Sequence, residues 1–534
     1  MTIDVAVEVQ LGGAILNCDG TPLLTPQGVQ LLNPSDWFDV TEDVMRSQAP
    51  VSAKRGITGS GPTDRVASPG TLSFSMDNGE SNSAGLPGYY APDHANHRSQ
   101  FQEGTRVRMK FSKDGSSVYK WHGRISSALP TPGQFDARDT PVQARDYMGL
   151  LAVQKLNRIP VQTDKRTDQI LALVVANLAI APLNTDYDTG PEAFAYSLQD
   201  EQDEKTYGIT VVQKAAQSDM GYVYVRGNPT DGETLVYENR QARQTNLTSH
   251  LTLDNNMLSL ELKRGEENIY NDIRIPVTPT KVDDAATTIL ATNLNELMIN
   301  PGETKTITMR FVDPSGAGRR ISGMELVIPE ANTDWKFSSH SGDNGNDMNG
   351  SLSVAYAPNG EGGNAADVTY TNIGGAAGYL QAGSTIRGKG VYQYDAQEAK
   401  AADADSQRRH GSRILTYSIP YQDNFNTAQD FTDVMLARGK DPFTDVTGAS
   451  FYAGAEAELE TAALNLDIGD RISLIENATG LSGDFFINSV QYDWLRTGDL
   501  KVTYGLERVL LYTPAGILDD PVFGLLDTSC YLSF

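Results

Sequence analysis

Three short segments of the sequence resemble known phosphate-binding and metal-binding motifs. Residues 383–390 read GSTIRGKG, close to the G-x4-G-K-[ST] pattern of a phosphate-binding loop. Such a loop needs a hydroxyl residue after its lysine and then a helix whose first N–H groups face the phosphate. Here Gly390 stands at the hydroxyl position, and the following VYQY favours a strand. The segment is therefore predicted to be a β-turn that does not bind a nucleotide.

The second segment, a possible metal site, contains His94 and His97, three residues apart and next to Asp93. A metal site would need a third ligand at a defined spacing, and the glutamate of the H-E-x-x-H motif is absent. Because Pro92 and two tyrosines flank the pair, we predict exposed loop histidines.

Residues 343–350, DNGNDMNG, are as rich in oxygen ligands as a calcium loop. They do not meet the D-x-[DN]-x-[DN]-G register in any frame, and no bidentate glutamate follows. A polar surface loop is predicted here.

Catalytic motifs are likewise missing from the sequence. There is no G-x-S-x-G nucleophile elbow, and Cys18 and Cys530 stand at opposite ends of the chain without a CxxC partner. The acidic residues 200–204 are predicted to form a solvated face. No catalytic, cofactor-binding or metal-ligating residue is assigned, and the protein is predicted to be neither an enzyme nor cofactor-dependent.

The charge and the apolar segments of the chain argue against two further classes of function, nucleic-acid binding and membrane insertion. The 534 residues contain 43 Lys and Arg against 68 Asp and Glu, a net charge of −25. Proteins that hold nucleic acid through its phosphates need clustered cations, so sequence-independent DNA binding is not expected of this chain. The first twenty residues lack the basic and apolar regions of an export signal, and the longest apolar run, near 170–180, is too short to span a bilayer. We expect no membrane insertion by this chain.

The hydrophobic periodicity divides the chain into β regions around a smaller α/β region. Residues 1–148 alternate as strands with long loops, and include a predicted hairpin of 107–111 with 118–125. Residues 149–262 show helical spacing followed by a hairpin, with helices predicted at 145–156, 167–180 and 208–219 and strands at 221–226 and 234–237. Residues 263–285 and 411–450 form a second β or connecting region, with a strand at 271–277.

The rest of the chain is predicted to be β as well. Residues 286–410 are Gly- and Asn-rich and are predicted to be an inserted β domain that faces outward, with a strand at 324–328 and a linker at 396–409. A capping box at 427–430 is expected to open a helix. Residues 451–534 are predicted to be an antiparallel meander that closes into a small barrel.

Several segments, taken in their order along the chain, resemble the baseplate or tail hub proteins of tailed bacteriophages. They are residues 65–78 (RVASPGTLSFSMDN), 121–125 (WHGRI), 142–151 (VQARDYMGLL), 215–224 (AAQSDMGYVY), 235–237 (LVY), 271–275 (NDIRI), 466–472 (LDIGDRI) and 483–487 (GDFFI). The resemblance covers most of the chain except about 285–410.

The resemblance implies a mainly β, multidomain fold in which tube-type sandwich or barrel domains flank the α/β domain. It implies a structural virion protein at the distal end of a phage tail, assembled in the host cytoplasm: a homotrimeric ring that continues the tail tube as a DNA conduit. Expected partners are further copies of the chain, a distal tail or tail tube protein, a tape measure protein and tail fibre or receptor-binding proteins. DNA would pass through the lumen without specific binding.

A second interpretation remains open: a receptor-binding or glycan-binding tail protein would have a similar acidic, loop-rich β composition. The helical region at 145–220 argues against it, because adhesin tips are usually β throughout. A polysaccharide depolymerase would be expected to show a long repetitive β-helix or a clear acid pair, and the sequence has neither.

Overall fold

The N-terminal region is built from antiparallel strands whose valines, leucines and aromatic residues alternate between the core and solvent. The computed structural model describes residues 3–11, 13–14, 32–33, 36–47, 49–132, 138–157, 159, 162–198, 205–343, 345–358 and 364–509; Cys18, Cys530 and the acidic residues 200–204 lie outside these ranges. The strands of this region are β1 (Asp4–Gln10), β2 (Gly13–Ala14), β3 (Leu32–Asn33), β4 (Trp37–Asp39), β5 (Val51–Gly56), β6 (Ser68–Asp77), β7 (Arg106–Lys113), β8 (Ser116–Ala128) and β9 (Asp139–Arg145).

The predicted α/β region follows. Its elements are α1 (Tyr147–Leu151), β10 (Lys165–Arg166), α2 (Thr167–Asn177), β11 (Thr185–Tyr187), β12 (Ala193–Phe194), α3 (Gly208–Asp219), β13 (Tyr222–Arg226), β14 (Thr234–Glu238), α4 (Ala242–Thr245), β15 (Thr252–Leu253) and β16 (Ser259–Lys263). The helix α3 ends at Met220 in the left-handed conformation. Strands β13 and β14 form the predicted hairpin, and β11 adds to it in parallel.

In the middle of the chain the regular elements are strands and short 3-10 turns, separated by loops. The strands are β17 (Asp272–Val277), β18 (Thr280–Val282), β19 (Thr288–Asn293), β20 (Leu297–Ile299), β21 (Thr304–Arg310), β22 (Arg320–Met324), β23 (Phe337–Ser338), β24 (Leu352–Pro358), β25 (Ala365–Asn372), β26 (Gly378–Leu380), β27 (Ser384–Gln393) and β28 (Gln397–Ala402). Strands β18 to β27 form three small sheets around a hydrophobic core of their own, which includes Leu290, Phe337, Val368 and Ile386.

The C-terminal part contains the longest helix and the longest strand. Its elements are α5 (Ala404–His410), β29 (Ile414–Thr416), α6 (Phe425–Gly439), β30 (Asp445–Tyr452), α7 (Ala457–Asn465), β31 (Arg471–Glu476), β32 (Leu481–Trp494) and β33 (Leu500–Arg508). Strand β17 lies between β28 and β29, and α6 packs on this three-stranded sheet through Phe431 and Met435.

One large sheet, antiparallel except where β15 pairs with β31, unites the N-terminal and C-terminal strands. Its strand order is β16-β30-β33-β32-β5-β6-β9-β8-β7-β1-β4, with β31 also paired to β32 and β15 to β31. The junction is the pairing of β5 with the second half of β32, which runs from Val51 opposite Trp494 to Gly56 opposite Ser489. A single core cluster extends from Ile3 to Leu506 and includes the helices α1, α2 and α3.

The structure confirms the mainly β, multidomain class but not the closed C-terminal barrel. Within the described residues the sheet is an open path, because the edge of β32 opposite β33 pairs with β31 along its first half and with β5 along its second half. Alternating strands joined by short turns indicate which neighbouring strands pair. The partner of the last free edge depends on residues far away in the sequence.

Three local predictions were wrong. The helix at 145–156 stops at Leu151, since the backbone beyond it bonds to another segment: the Leu156 N–H donates to the Thr206 carbonyl and the Gln154 carbonyl accepts from the Gly208 N–H. The helix predicted to open at 427–430 begins at Phe425, and its cap is Asn424, which accepts a hydrogen bond from the Asn426 N–H. Strand β22 ends at Met324, so residues 325–328 are not a strand.

The predicted linker at 396–409 was also wrong, because it forms β28 and α5. Ala399 and Ala401 are buried against the core under α6, and the residues between and beside them are exposed. Asp403 then caps α5 by accepting from the Ser406 N–H. The buried residues of β28 are alanines, which differ little in hydrophobicity from their neighbours. The alternation of the strand is therefore hard to see in the sequence, and the segment has the composition of a polar linker.

Candidate functional site: the buried joint of the large sheet

The motifs singled out in the sequence do not come together. Lys389 lies inside β27, where its ammonium contacts the carboxylate of Glu325 at 2.9 Å, and the chain continues as strand, not as a helix. The β-turn prediction for residues 383–390 was therefore wrong, while the missing helix removes the N-terminal N–H groups that a phosphate loop requires.

The two histidines lie in a loop and serve the local backbone. The His94 ring accepts from the Asn96 N–H, and Nε2 of His97 is 2.7 Å from the Phe101 carbonyl oxygen. Near residues 341–343 the carboxylate of Glu296 accepts hydrogen bonds from Ser341 and Gly342. In the part of the chain that the structure describes, no group of three or more His, Cys, Asp or Glu side chains could hold a metal ion. None of the helices described there is long and apolar enough to cross a membrane.

Buried charged residues instead cluster at the junction where β5 pairs with β32, called the joint below. The guanidinium of Arg55, on β5, lies 2.6 Å from the carboxylate of Asp467, and both side chains are buried. Lys120, from β8, donates to the Leu466 carbonyl at 3.0 Å. Burial lowers the pKa of Lys120 to about 8. For Asp467 burial opposes ionisation, but the nearby cations, Arg55 first, outweigh it and lower its pKa.

A second buried cluster lies on the other side of β32 and surrounds Glu507 of β33. Its carboxylate contacts Arg438 of α6 at 2.6 Å and Arg243 of α4 at 2.9 Å, and it accepts from the Asn488 amide at 3.0 Å. The Arg243 guanidinium also stacks on the ring of Tyr222, 3.6 Å from its centre. Burial would raise the pKa of Glu507, but Arg438 and Arg243 outweigh it and lower this pKa to about 2.

A third buried carboxylate, Asp146, connects the large sheet to the α/β region. One oxygen accepts from the N–H groups of Gly70 in β6 and Gly149 in α1, while its second oxygen has no hydrogen-bond partner within the described residues. Burial raises the pKa of Asp146 to about 7. Nearby, His122 of β8 is hydrogen-bonded to Glu233, the residue that also accepts from the Leu183 N–H.

These three clusters tie elements far apart in sequence, so single-sequence periodicity offered no signal for them. A buried charge is costly unless it is paired, and each pair here therefore fixes two elements to one relative position. The chemistry of the joint is structural, since its carboxylates are held by cations or by backbone N–H groups. No local pattern marks Arg55 in VSAKRG or Glu507 in LKVTYGLER as buried, because other charged and polar residues stand beside them in both strands.

The inserted strands β18 to β27 carry a polar groove of about 560 Å³ on their surface. Its lining includes Asn295, Glu296, Thr333, Lys336 and Gln381, with the exposed Leu294 at the edge. The insert also contacts the α/β region, where Tyr196 packs with Met324 and Val391.

Comparison with known proteins gives structural but not sequence matches. No family model and no curated protein matches the chain. The chain is similar in structure to the 43 kDa tail protein of prophage MuSo2 from Shewanella oneidensis, with a TM-score of 0.47, 10% identity and coverage of 95% of this chain and 98% of that one. A tail protein from Neisseria meningitidis MC58 also gives a TM-score of 0.47, at 9% identity and coverage of 95% and 97%.

The prophage tail protein gp18 from Listeria monocytogenes EGD-e gives a TM-score of 0.38 at 8% identity, over 90% of this chain and 93% of that one. Because each of these TM-scores is below 0.5 and each identity is 10% or less, no functional assignment is drawn from them.

Proposed function

We propose that the protein is a structural component of a phage tail, forming a homotrimeric ring at its distal end that continues the tube as a DNA conduit. The ordered segments from 65–78 to 483–487 that resemble tail hub proteins support this role. Its neighbours would be a distal tail or tube protein, a tape measure protein and the tail fibre or receptor-binding proteins. No enzymatic activity is expected of it.

The observation that carries the proposal is the continuity of the large sheet. An N-terminal set of strands, β1 and β4 to β9, joins a C-terminal set, β16 and β30 to β33, edge to edge through β5 and β32. One chain thereby supplies two β units side by side, and three chains would place six such units around an axis. A ring of strands also resolves the problem of exposed sheet edges.

The charge of the chain suits a conduit. A net charge of −25 per subunit favours repulsion of a passing polyanion, so DNA would slide instead of binding.

The proposal is tested by measuring the mass of the native complex by light scattering and by imaging it with electron microscopy. A trimer with a central opening is expected at the end of the tail. A hexamer of this chain, a single copy per particle, or its absence from purified tails would contradict the proposal.

The polar groove on the insert favours a second candidate, a glycan-binding tail protein. Amide, carboxylate and ammonium groups such as those of Gln381, Glu296 and Lys336 are suited to sugar hydroxyls. Binding of the purified protein to a glycan array, lost in a Lys336→Ala variant and kept in a Lys440→Ala variant outside the groove, would support this function. No binding at millimolar sugar would exclude it.

A further inference from the structure

We propose that a row of cations across the polar face of the large sheet is a docking surface for an acidic helix of a partner protein. The row crosses five neighbouring strands, from β7 through β8, β9 and β6 to β5. Along it the register places opposite one another, in order, Arg106, Arg124, Arg145, Thr71 and Lys54. Residues directly opposite each other in a sheet lie on the same face, so these five side chains share one face. The four charged residues among them are called the cation row.

The cation row lies on the side of the sheet that faces away from the core. Three of the five positions are exposed, and Arg106 and Arg124 are half-buried. The next residues along the same strands, among them Val107, Ile125 and Ala53, belong to the hydrophobic core. Because side chains alternate between the two faces of a strand, the row is open to a partner.

None of the four cations forms an ion pair with a carboxylate in the part of the chain that the structure describes. The guanidinium of Arg124 donates to the Gly104 carbonyl oxygen at 3.1 Å, which leaves its charge uncompensated. The other cations of the same face of β7 differ, since Arg108 and Lys110 both contact the carboxylate of Glu8. The fold therefore pairs the cations beside the row and leaves those in the row unpaired.

Three of these cations stand directly opposite one another on adjacent strands. Like charges in this arrangement lower the stability of a sheet. Burial, and after it the neighbouring Arg106, lower the pKa of Arg124. The row thus costs stability in the isolated chain, and negative charge supplied from outside would offset that cost.

Two carboxylates lie beside the row, and both are engaged elsewhere. Among the described carboxylates Glu233 alone raises the pKa of Arg124, and it is hydrogen-bonded to His122 at 2.7 Å. At the β5 end of the row, Asp493 accepts from the Ser52 hydroxyl at 2.6 Å and stands opposite Lys501 in the register. Neither carboxylate neutralises the row.

The spacing of the row fits an α-helix that crosses the strands. Neighbouring strands lie about 4.8 Å apart, so the three arginines span roughly 10 Å. Carboxylates at positions i, i+4 and i+7 of a helix share one face and span about 10.5 Å, at 1.5 Å per residue. Three alternate residues of an extended strand would span roughly 13.5 Å. Since guanidinium groups bind carboxylates bidentately, a helix with acidic residues at this spacing can engage all three arginines at once.

The overall charge of the chain argues against nucleic acid as the occupant. A long duplex would extend beyond the row and meet the remainder of a protein with a net charge of −25. A short acidic helix places its carboxylates on the row alone. At a Debye length of about 8 Å, the acidic surface farther away repels it little.

The first test measures the binding of a helical peptide to the purified full-length protein by fluorescence anisotropy. The probe is an alanine-rich peptide of about twenty residues, long enough to be helical, with glutamates at i, i+4, i+7 and i+11; the comparison peptide has glutamine at these positions. We expect the glutamate peptide to bind at least tenfold more tightly at about 50 mM salt and to be released by added salt. Equal binding of the two peptides, or no binding of either at millimolar peptide, would overturn the inference.

The second test locates the binding on the sheet. Arg124→Gln removes the central charge and should weaken the binding of the glutamate peptide at least tenfold. Arg310→Gln, at an exposed arginine on β21 of the insert, is the matched control and should bind the peptide as the parent does. An equal loss in both variants would show a general charge effect and contradict the docking surface. Double-stranded DNA that binds the parent and not Arg124→Gln would assign the row to nucleic acid and overturn the inference too.

The third test needs no partner. Because it relieves repulsion between like charges, Arg145→Gln should raise the melting temperature at low salt and leave it unchanged at high salt. A lower melting temperature at low salt would show that Arg145 supports the fold of its own chain, and the row would then not be held for a partner. All three results are independent of the proposed ring, which the mass of the native complex tests separately.

Discussion

At the scale of single residues, Glu507 is a buried carboxylate shared by two arginines from different helices. Its carboxylate is buried and compensates Arg243 and Arg438. Glu507→Gln keeps the volume but leaves Arg438 without its carboxylate partner and Arg243 with Glu238 alone, so we expect a loss of about 3–5 kcal/mol in the free energy of unfolding. Urea denaturation near neutral pH measures it. Asp405→Asn, in the exposed pair with Arg408, is the control and should change stability by no more than about 1 kcal/mol.

The stability difference between the parent protein and Glu507→Gln should change with pH in a direction that the pKa of Glu507 sets. The folded pKa of Glu507, about 2, lies below its ordinary value of 4.5, so its stabilisation is complete above 4.5 and is lost as the pH falls toward 2. The difference between the parent protein and Glu507→Gln should therefore shrink in acid. A difference that stays constant down to pH 3 would contradict this assignment.

Asp146 is expected to act in the opposite direction. Its folded pKa, about 7, lies above the ordinary value of 3.8, so stability is greatest at low pH and falls as the pH rises through 7. Asp146→Asn keeps an oxygen for the Gly70 and Gly149 N–H groups and removes the titration. The variant should be more stable than the parent at pH 8, by roughly 4 kcal/mol at most, and similar to it at pH 4. Equal pH profiles in thermal unfolding would refute the prediction.

At the scale of elements, the chain enters and leaves the inserted strands at one point. Val277 of β17 stands opposite Gln397 of β28 in the register. We predict that residues 278–396 can be replaced by Asn-Gly, because a two-residue turn joins paired antiparallel strands directly. Circular dichroism and gel filtration should show a folded protein that still assembles.

The matched comparison is removal of 286–410, the insert as its composition delimits it. That deletion also removes β28 and α5, which exposes one edge of β17 and uncovers the face of α6 that carries Phe431. We expect insoluble protein in this case. If both deletions behave alike, β28 is not part of the surrounding fold.

How much of this could be predicted from the sequence differs by element. Strands with clear alternation, such as β7 and β17, and the helix α3 were predicted closely, because their periodicity is local. Strand β28 was missed since alanine gives a weak hydrophobic contrast. The joint of β5 with β32 and the pairs Arg55–Asp467 and Arg243–Glu507 depend on residues hundreds of positions apart, which no local pattern records.

At the scale of the whole molecule, the charge should decide behaviour toward nucleic acid. With a net charge of −25, the protein is expected to leave the mobility of double-stranded DNA unchanged at 50 mM salt, even at micromolar protein. A Lys389→Ala variant should behave identically, because that lysine is already paired with Glu325. A mobility shift that weakens with added salt would show a cationic binding surface and contradict the conduit.

The pairing of β5 with β32 also determines when, during translation, the large sheet can be completed. Gly56 is made early, but its partner Ser489 follows more than four hundred residues later. At about 5–20 residues per second, β5 waits roughly 20 to 90 s on the ribosome with one edge open. A nascent chain therefore cannot present a finished sheet to another subunit before translation is almost complete. Chains stalled before residue 480 should be sensitive to protease at β5, and chains released after residue 509 should be protected there. Assembly with another subunit would then require the last strands of the chain.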